Sequence, residues 1–188
     1  MENHNEERRE YFRIDDKAIF TVNKLPPNTN LQSLSESNSS FLLGSSISRI
    51  DMDHQAIFSK IKRSSPEVAI YLEGINQKIQ LISNHLLNSD PEIKNQTPTE
   101  INLSASGIAV TTSTPLQQDD MVQIKLVLLP ELAGVLCIGQ VKRIENSANE
   151  NTLHIDFTEI SEANQELIIK HNMALQLEQA RAKNNDYT

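Results

Sequence analysis

The sequence predicts a mainly β fold with added helices, and three observations support this. Short β-branched and apolar runs, separated by turn-like breaks, fill residues 101 to 157, as in a small antiparallel barrel or sandwich. Between the first strand candidate and these runs stand two stretches with helical spacing, the second with a heptad repeat. A third helical stretch closes the chain.

Ala18 to Val22 is β-branched and aromatic, a strand that ends before Pro26-Pro27. Asn28 to Ser46 is rich in Ser and Asn and reads as a loop or linker with an apolar patch at Phe41-Leu42-Leu43. Helical spacing then runs from Ser46 to Arg63 and from Pro66 to Leu87. Ser64-Ser65-Pro66-Glu67 between them is a start signal, with a serine cap, a first-turn proline and an S-x-x-E capping box. In the second helix Val68, Leu72, Ile75, Ile79, Ile82 and Leu86 alternate spacings of four and three. With Leu72, Ile79 and Leu86 at a positions, Val68, Ile75 and Ile82 take d, a pattern that favours trimers or tetramers over two-stranded coils. The seam spans under three heptads, so the competing reading is a buried face packed within the chain. Pro91 and Pro98 end this helix. Strands follow at Ile101 to Thr112, Met121 to Leu129, Val135 to Ile144 and Thr152 to Phe157. Ile160 to about Lys183 forms the last helix, capped by Ser161, with Ala163, Leu167, Ile168, Met173 and Leu177 on or near its apolar face.

Composition narrows the function. The chain has 188 residues, room for one ordinary domain or a small domain with an appendage. A net charge of −8 excludes a general nucleic-acid binder or a polybasic membrane-surface protein. Aromatic residues are 4% and Trp is absent, so Ile, Leu and Val must build the core. Cys137, the single cysteine, falls in an apolar run and reads as a core residue; a chain without a disulfide framework fits the cytoplasm. Met1 to Glu10 lacks the apolar stretch of a signal peptide, and Lys125, Pro130 and Glu131 interrupt the most apolar region, so no membrane insertion is expected. The five histidines show no metal-ligand spacing, and there is no nucleophile elbow or glycine-rich phosphate loop. Neither an enzyme nor a cofactor or metal site is expected.

Two short motifs carry the chemistry. Arg8 stands directly ahead of the run Arg9-Glu10-Tyr11-Phe12-Arg13, and Asn102-Leu103-Ser104-Ala105-Ser106-Gly107 lies past the middle. A guanidinium is a planar fork that bonds bidentately to a phosphate or to the O6/N7 edge of guanine. The bland reading of the arginines is a solvated charge run, balanced by Glu6, Glu7 and Glu10. Asn102 and Ser104 alternate along a strand and share a face, while Gly107 permits a close approach or a bulge.

In this order the motifs resemble the RxxxR and (D/N)xSxxG signatures of PilZ domains, bacterial receptors for cyclic di-GMP. The resemblance covers about 110 residues, to roughly Val22 and again from Glu100 onward, and implies a six-stranded antiparallel barrel followed by a helix. It implies a division into residues 1–25 and 99–188 as the barrel, with its arginine loop and C-terminal helix, and 26–98 as an inserted linker and helical oligomerisation module. It also implies roles: Arg9 and Arg13, assisted by the charge of Arg8, grip phosphates and guanine faces; Asn102 meets a guanine edge, Ser104 bonds the ligand and Gly107 leaves room beside it. The inserted heptad seam is similar to that of tetrameric PilZ proteins, which implies a homo-oligomer, tetramer favoured. The expected mechanism is an adaptor's: cyclic di-GMP orders the N-terminal loop and changes a surface offered to an unknown protein partner. The alternative is an oligomeric PilZ-like scaffold without a ligand.

Overall fold

The computed structural model describes residues 12–146 and 150–185. Six antiparallel strands close a barrel: β1 (Ile14–Lys24), β2 (Thr99–Ser104), β3 (Gly107–Thr112), β4 (Met121–Leu128), β5 (Ala133–Asn146) and β6 (Asn151–Ile160), in spatial order β1-β2-β3-β6-β5-β4. β1 closes it by serving two neighbours. Its first half pairs with β2 (Ile14 opposite Leu103) and its second half with β4 (Lys24 opposite Val122). The interior is filled by Leu103, Ile108, Ile124, Leu126, Leu153 and Ile155, all essentially inaccessible to solvent. Cys137 is buried among them, and desolvation pushes its thiol far above the usual range, so it is an inert core residue.

The stretch from Ile101 to Thr112, read above as one strand, is a hairpin: Ala105-Ser106 forms its turn and Ser104 pairs with Gly107. The sixth strand arises from this split. The serine-rich stretch read as a loop is helical. α1 (Leu31–Ser37) is capped by the Asn30 side chain, which accepts from the Ser33 amide at 2.9 Å, and α2 (Ser39–Ser64) starts two turns ahead of the expected Ser46. Serines tolerate these positions by turning back on their own helix: Ser35, Ser45, Ser46 and Ser48 each donate to the carbonyl four residues earlier. Leu34 and Phe41 supply the apolar face.

α3 (Pro66–Asn88) returns antiparallel to α2. Ser65 precedes it and Pro66 opens it, but no side-chain cap is made; the Ser64 hydroxyl points back to the Ile61 carbonyl instead, so the predicted capping box does not form. The helices touch where side chains are small. Ser83 donates to the Gly44 carbonyl at 3.0 Å, and Gln80 bonds Asp51.

These helices lie against the outside of β4 and β5. Leu34, Phe41, Leu87 and Ile93 bury Val127, Leu136 and Ile138, which explains why β4 is buried on both faces from Val122 to Leu128. Contact is close: a Cβ on Gly134 would stand 2.2 Å from the Ser45 hydroxyl and 2.7 Å from the Phe41 ring. Lys125, on this outer face, is buried and paired with Asp90 (2.7 Å) and Glu92 (2.8 Å) from the α3–β2 connection. α4 (Glu162–Asn185) is capped as expected, Ser161 accepting from the Asn164 amide at 3.2 Å. It buries Leu167 and Ile168 but also His171 and Asn172; Met173 and Leu177, expected on its apolar face, are exposed.

Candidate ligand face on the barrel

Arg13 ends at the foot of β1 and Asn102 lies on β2, and the barrel brings them together: an Arg13 Nη donates to Asn102 Oδ1 at 3.4 Å. The amide nitrogen of Asn102 donates to Asp15 at 2.6 Å. Strand pairing places these two side chains side by side, because Asp15 is the direct partner of Asn102. Arg8 and Arg9 lie outside the described residues.

Ser104 and Gly107 flank the hairpin turn. Ser104 is buried, with its hydroxyl donating to the Gly107 carbonyl at 3.2 Å and lying 3.3 Å from the Ser106 hydroxyl, so it braces the turn. Gly107 cannot carry a side chain here: a Cβ would sit 2.5 Å from the Ile155 carbonyl and 3.3 Å from the Asp156 backbone. Without a side chain at that position, β3 lies directly against β6.

One step along β3, the outward side chain is only Ala109. A shallow recess of about 230 Å³ opens there, lined by Asp15, Glu100, Asn102, Ala109, Thr111 and Thr152 among others. Its β2 edge is polar, and a second polar pair stands outside it. Asn102 stands on one side, and beyond Ala109 lie His154 on β6 and Arg143 on β5, each the strand partner of the one before. Sequence reasoning missed His154 and Arg143 because only the register across four strands places them beside Asn102.

A second candidate surface lies on the helical hairpin. Val68 and Ile82 of the predicted seam are 52% and 59% exposed, and Leu72, Ile75, Ile79 and Leu86 remain partly accessible. The seam is therefore not consumed by packing on α2. α2 carries a matching one that the sequence reading overlooked: Leu43, Ile47, Ile50, His54, Ile57 and Ile61, with the same alternation of four and three. Leu43 and Ile50 each precede a contact residue of the hairpin, Gly44 and Asp51; Ile79, Ile82 and Leu86 likewise precede Gln80, Ser83 and Leu87. One residue is a rotation of about 100°. Because the helices run antiparallel, the same backward step turns both seams to one side of the hairpin, away from the barrel-facing Phe41, Ser45 and Met52.

Among the described residues no cluster of His, Cys, Asp and Glu is arranged to hold a metal ion, and no helix is long and apolar enough to cross a membrane.

No protein of curated function matches the chain in sequence. The chain is similar in fold to a tetrameric PilZ domain protein of Xanthomonas campestris, described as self-assembled through a helical bundle. The TM-score is 0.61 at 10% identity, with 92% of this chain and 91% of that one covered. It also aligns with the inhibitor of motility MotI/DgrA of Bacillus subtilis (TM-score 0.47, 14% identity, 91% and 52% covered). A third alignment is to YcgR of Escherichia coli, solved with cyclic di-GMP (0.48, 14%, 96% and 51%). The chain spans about half the length of the last two. The PilZ domain family model matches residues 85–173, from the end of α3 through the first half of α4. Residues 85–173 are thus a PilZ domain, and β1, contributed from the far side of the three helices, is the strand that closes its barrel.

Proposed function

We propose that this chain is a cyclic di-GMP effector that relays second-messenger level to a protein partner, and that it acts as an assembly of several copies. The observation that supports the ligand reading most directly is the Arg13–Asn102 contact, which joins two motifs from distant parts of the sequence beside an open recess. In this reading Arg13, with Arg8 and Arg9 ahead of it, grips phosphate and guanine. Asn102 presents an amide that its Arg13 and Asp15 bonds already orient, and Ser104 and Gly107 hold the turn and the floor close to the ligand. The N-terminal segment is ordered by the ligand, and the altered surface is what the partner reads. Calorimetric titration of the full chain with cyclic di-GMP should show saturable binding at micromolar ligand, lost in the Arg9→Ala/Arg13→Ala double variant. Absence of binding by the wild type would leave the ligand-free scaffold as the reading.

Residues 26–98 are the assembly module in this proposal. The two seams form one apolar face on the hairpin, and the fold likeness to the Xanthomonas protein makes a helical bundle its natural occupant. Each Leu or Ile buried there contributes about 1.5–3 kcal/mol, so several per copy suffice for stable association. Deleting the module is a poor test, because Val127, Leu136 and Ile138 would be stripped of cover. Point charges are cleaner. Ile50→Asp with Ile75→Asp should reduce the mass seen by light scattering toward the 21.2 kDa of one chain, with circular dichroism unchanged. A wild-type mass of one chain, or a multimer untouched by both charges, refutes the assembly.

A further inference from the structure

We infer that Arg143 and His154 form the far side of the ligand face and read the second guanine of the bound dinucleotide. This rests on the cyclic di-GMP reading above and extends it across the barrel.

The row Asp15, Asn102, Ala109, His154, Arg143 crosses β1, β2, β3, β6 and β5 by direct strand pairing, with a bulge in β5 just before Arg143. Neighbouring strands lie about 4.8 Å apart, so Asn102 and His154 are separated by about 10 Å with only an alanine between them. Along this row a planar base laid over Ala109 meets only that methyl before a polar group at either edge, with Glu100, Thr111 and Thr152 lining the recess beside it. Asn102 and Arg13 occupy one end; His154 and Arg143 occupy the other.

The far end is also over-subscribed. His154 Nε2 is 3.0 Å from an Arg143 Nη and 3.0 Å from Glu145 Oε1, while the same Arg143 nitrogen is 2.6 Å from that same oxygen. One imidazole nitrogen either accepts from Arg143 or donates to Glu145, never both. The cluster therefore holds one more pairing than it can satisfy. A ligand resolves this by taking Arg143: the O6 and N7 of a guanine replace the Glu145 oxygen with two acceptors matched to the guanidinium fork. His154 is then left to Glu145 alone. Glu145 acts as an internal competitor, holding Arg143 until the ligand arrives. Arg143 and Glu145 are both more than half exposed, so the exchange needs side-chain rotation only.

Adenine offers an amino donor where guanine offers O6, so Arg143 discriminates between the bases. Five proteins, the wild type and four variants, titrated with cyclic di-GMP and with cyclic di-AMP test this. Arg143→Ala should bind cyclic di-GMP about tenfold more weakly or worse and lose preference over cyclic di-AMP, as expected for one bidentate guanine contact. His154→Ala should weaken binding in the same direction. Glu145→Gln, which removes the competing carboxylate, should tighten binding, a gain that a merely structural role for the cluster does not produce. If the wild type binds and Arg13→Ala abolishes binding, yet Arg143→Ala stays within about twofold of the wild type and Glu145→Gln brings no gain, this inference falls and the receptor reading stands. A wild type that does not bind overturns both.

Discussion

Replacing Lys125 with alanine should lower the unfolding free energy by about 3–5 kcal/mol, the usual consequence of removing one partner from a buried ion pair. The ammonium is 4% exposed and lies between the carboxylates of Asp90 and Glu92, 5.6 Å from the centre of the Phe41 ring. Without it, Asp90, itself 8% exposed, is a buried charge with no counterion. The side-chain stem also leaves a void under the helices. Lys125→Met separates these effects, since it keeps the volume and removes only the charge. The Met variant should still lose most of the stability, and adding Asp90→Asn and Glu92→Gln to it should restore a large part, because an apolar or neutral replacement of the whole cluster is often tolerated. Urea unfolding followed by circular dichroism at one protein concentration checks this. A single-variant loss under about 1 kcal/mol would place the pair among ordinary surface bridges. Since Asp90 and Glu92 follow α3, the same variants should loosen the hairpin from β4 before the barrel opens.

How much of this was legible in the chain differs by element, for physical reasons. The α3 seam announced itself because Val68 to Leu86 keeps strict heptad spacing. Its counterpart on α2 stayed hidden because the first half of that helix is rich in serine, and serines favour loops unless their hydroxyls fold back onto the helix, as Ser45, Ser46 and Ser48 do. The β2–β3 hairpin reads as one strand in the sequence because Ala105-Ser106 lacks the Asn-Gly or Asp-Gly signature of a tight hairpin; the turn contains no residue with positive φ. The second motif's spacing is the footprint of that turn. Motif order links Arg13 to Asn102 in the sequence, and strand register supplies the contact. His154, Arg143 and the partners of Lys125 had no such signal, since each depends on registers or connections between elements far apart in sequence.

Stability should also fall as pH rises from about 6.5 to 9, because of His171. Its imidazole is buried on α4 between Asp16 of β1, 2.8 Å from Nε2, and Glu131 of the β4–β5 turn, 3.6 Å from Nδ1. Burial works against the charged ring, but the hydrogen bond to Asp16 and the attraction of both carboxylates outweigh it and raise its pKa from 6.5 to about 9. The nearby His171 ring in turn lowers the pKa of Glu131. A group whose folded pKa lies above its unfolded value stabilises fully below the unfolded pKa and contributes nothing above the folded one. The shift corresponds to on the order of 3 kcal/mol, present at pH 6 and gone by about pH 9.5. Cys137 adds its own loss only above its unfolded pKa of 9.0, so the intervening window belongs to His171. His171→Gln should be less stable than the wild type at pH 6, and the difference should shrink as pH rises; a wild-type curve parallel to the variant's across that window would refute the clamp. Because Asp16 lies three residues beyond Arg13, the charged imidazole also pins the start of β1, where the ligand-gripping arginine stands. If binding depends on that placement, His171→Gln should weaken cyclic di-GMP binding at pH 6 and match the wild type near pH 9.5, a convergence that direct contact between His171 and ligand would not produce.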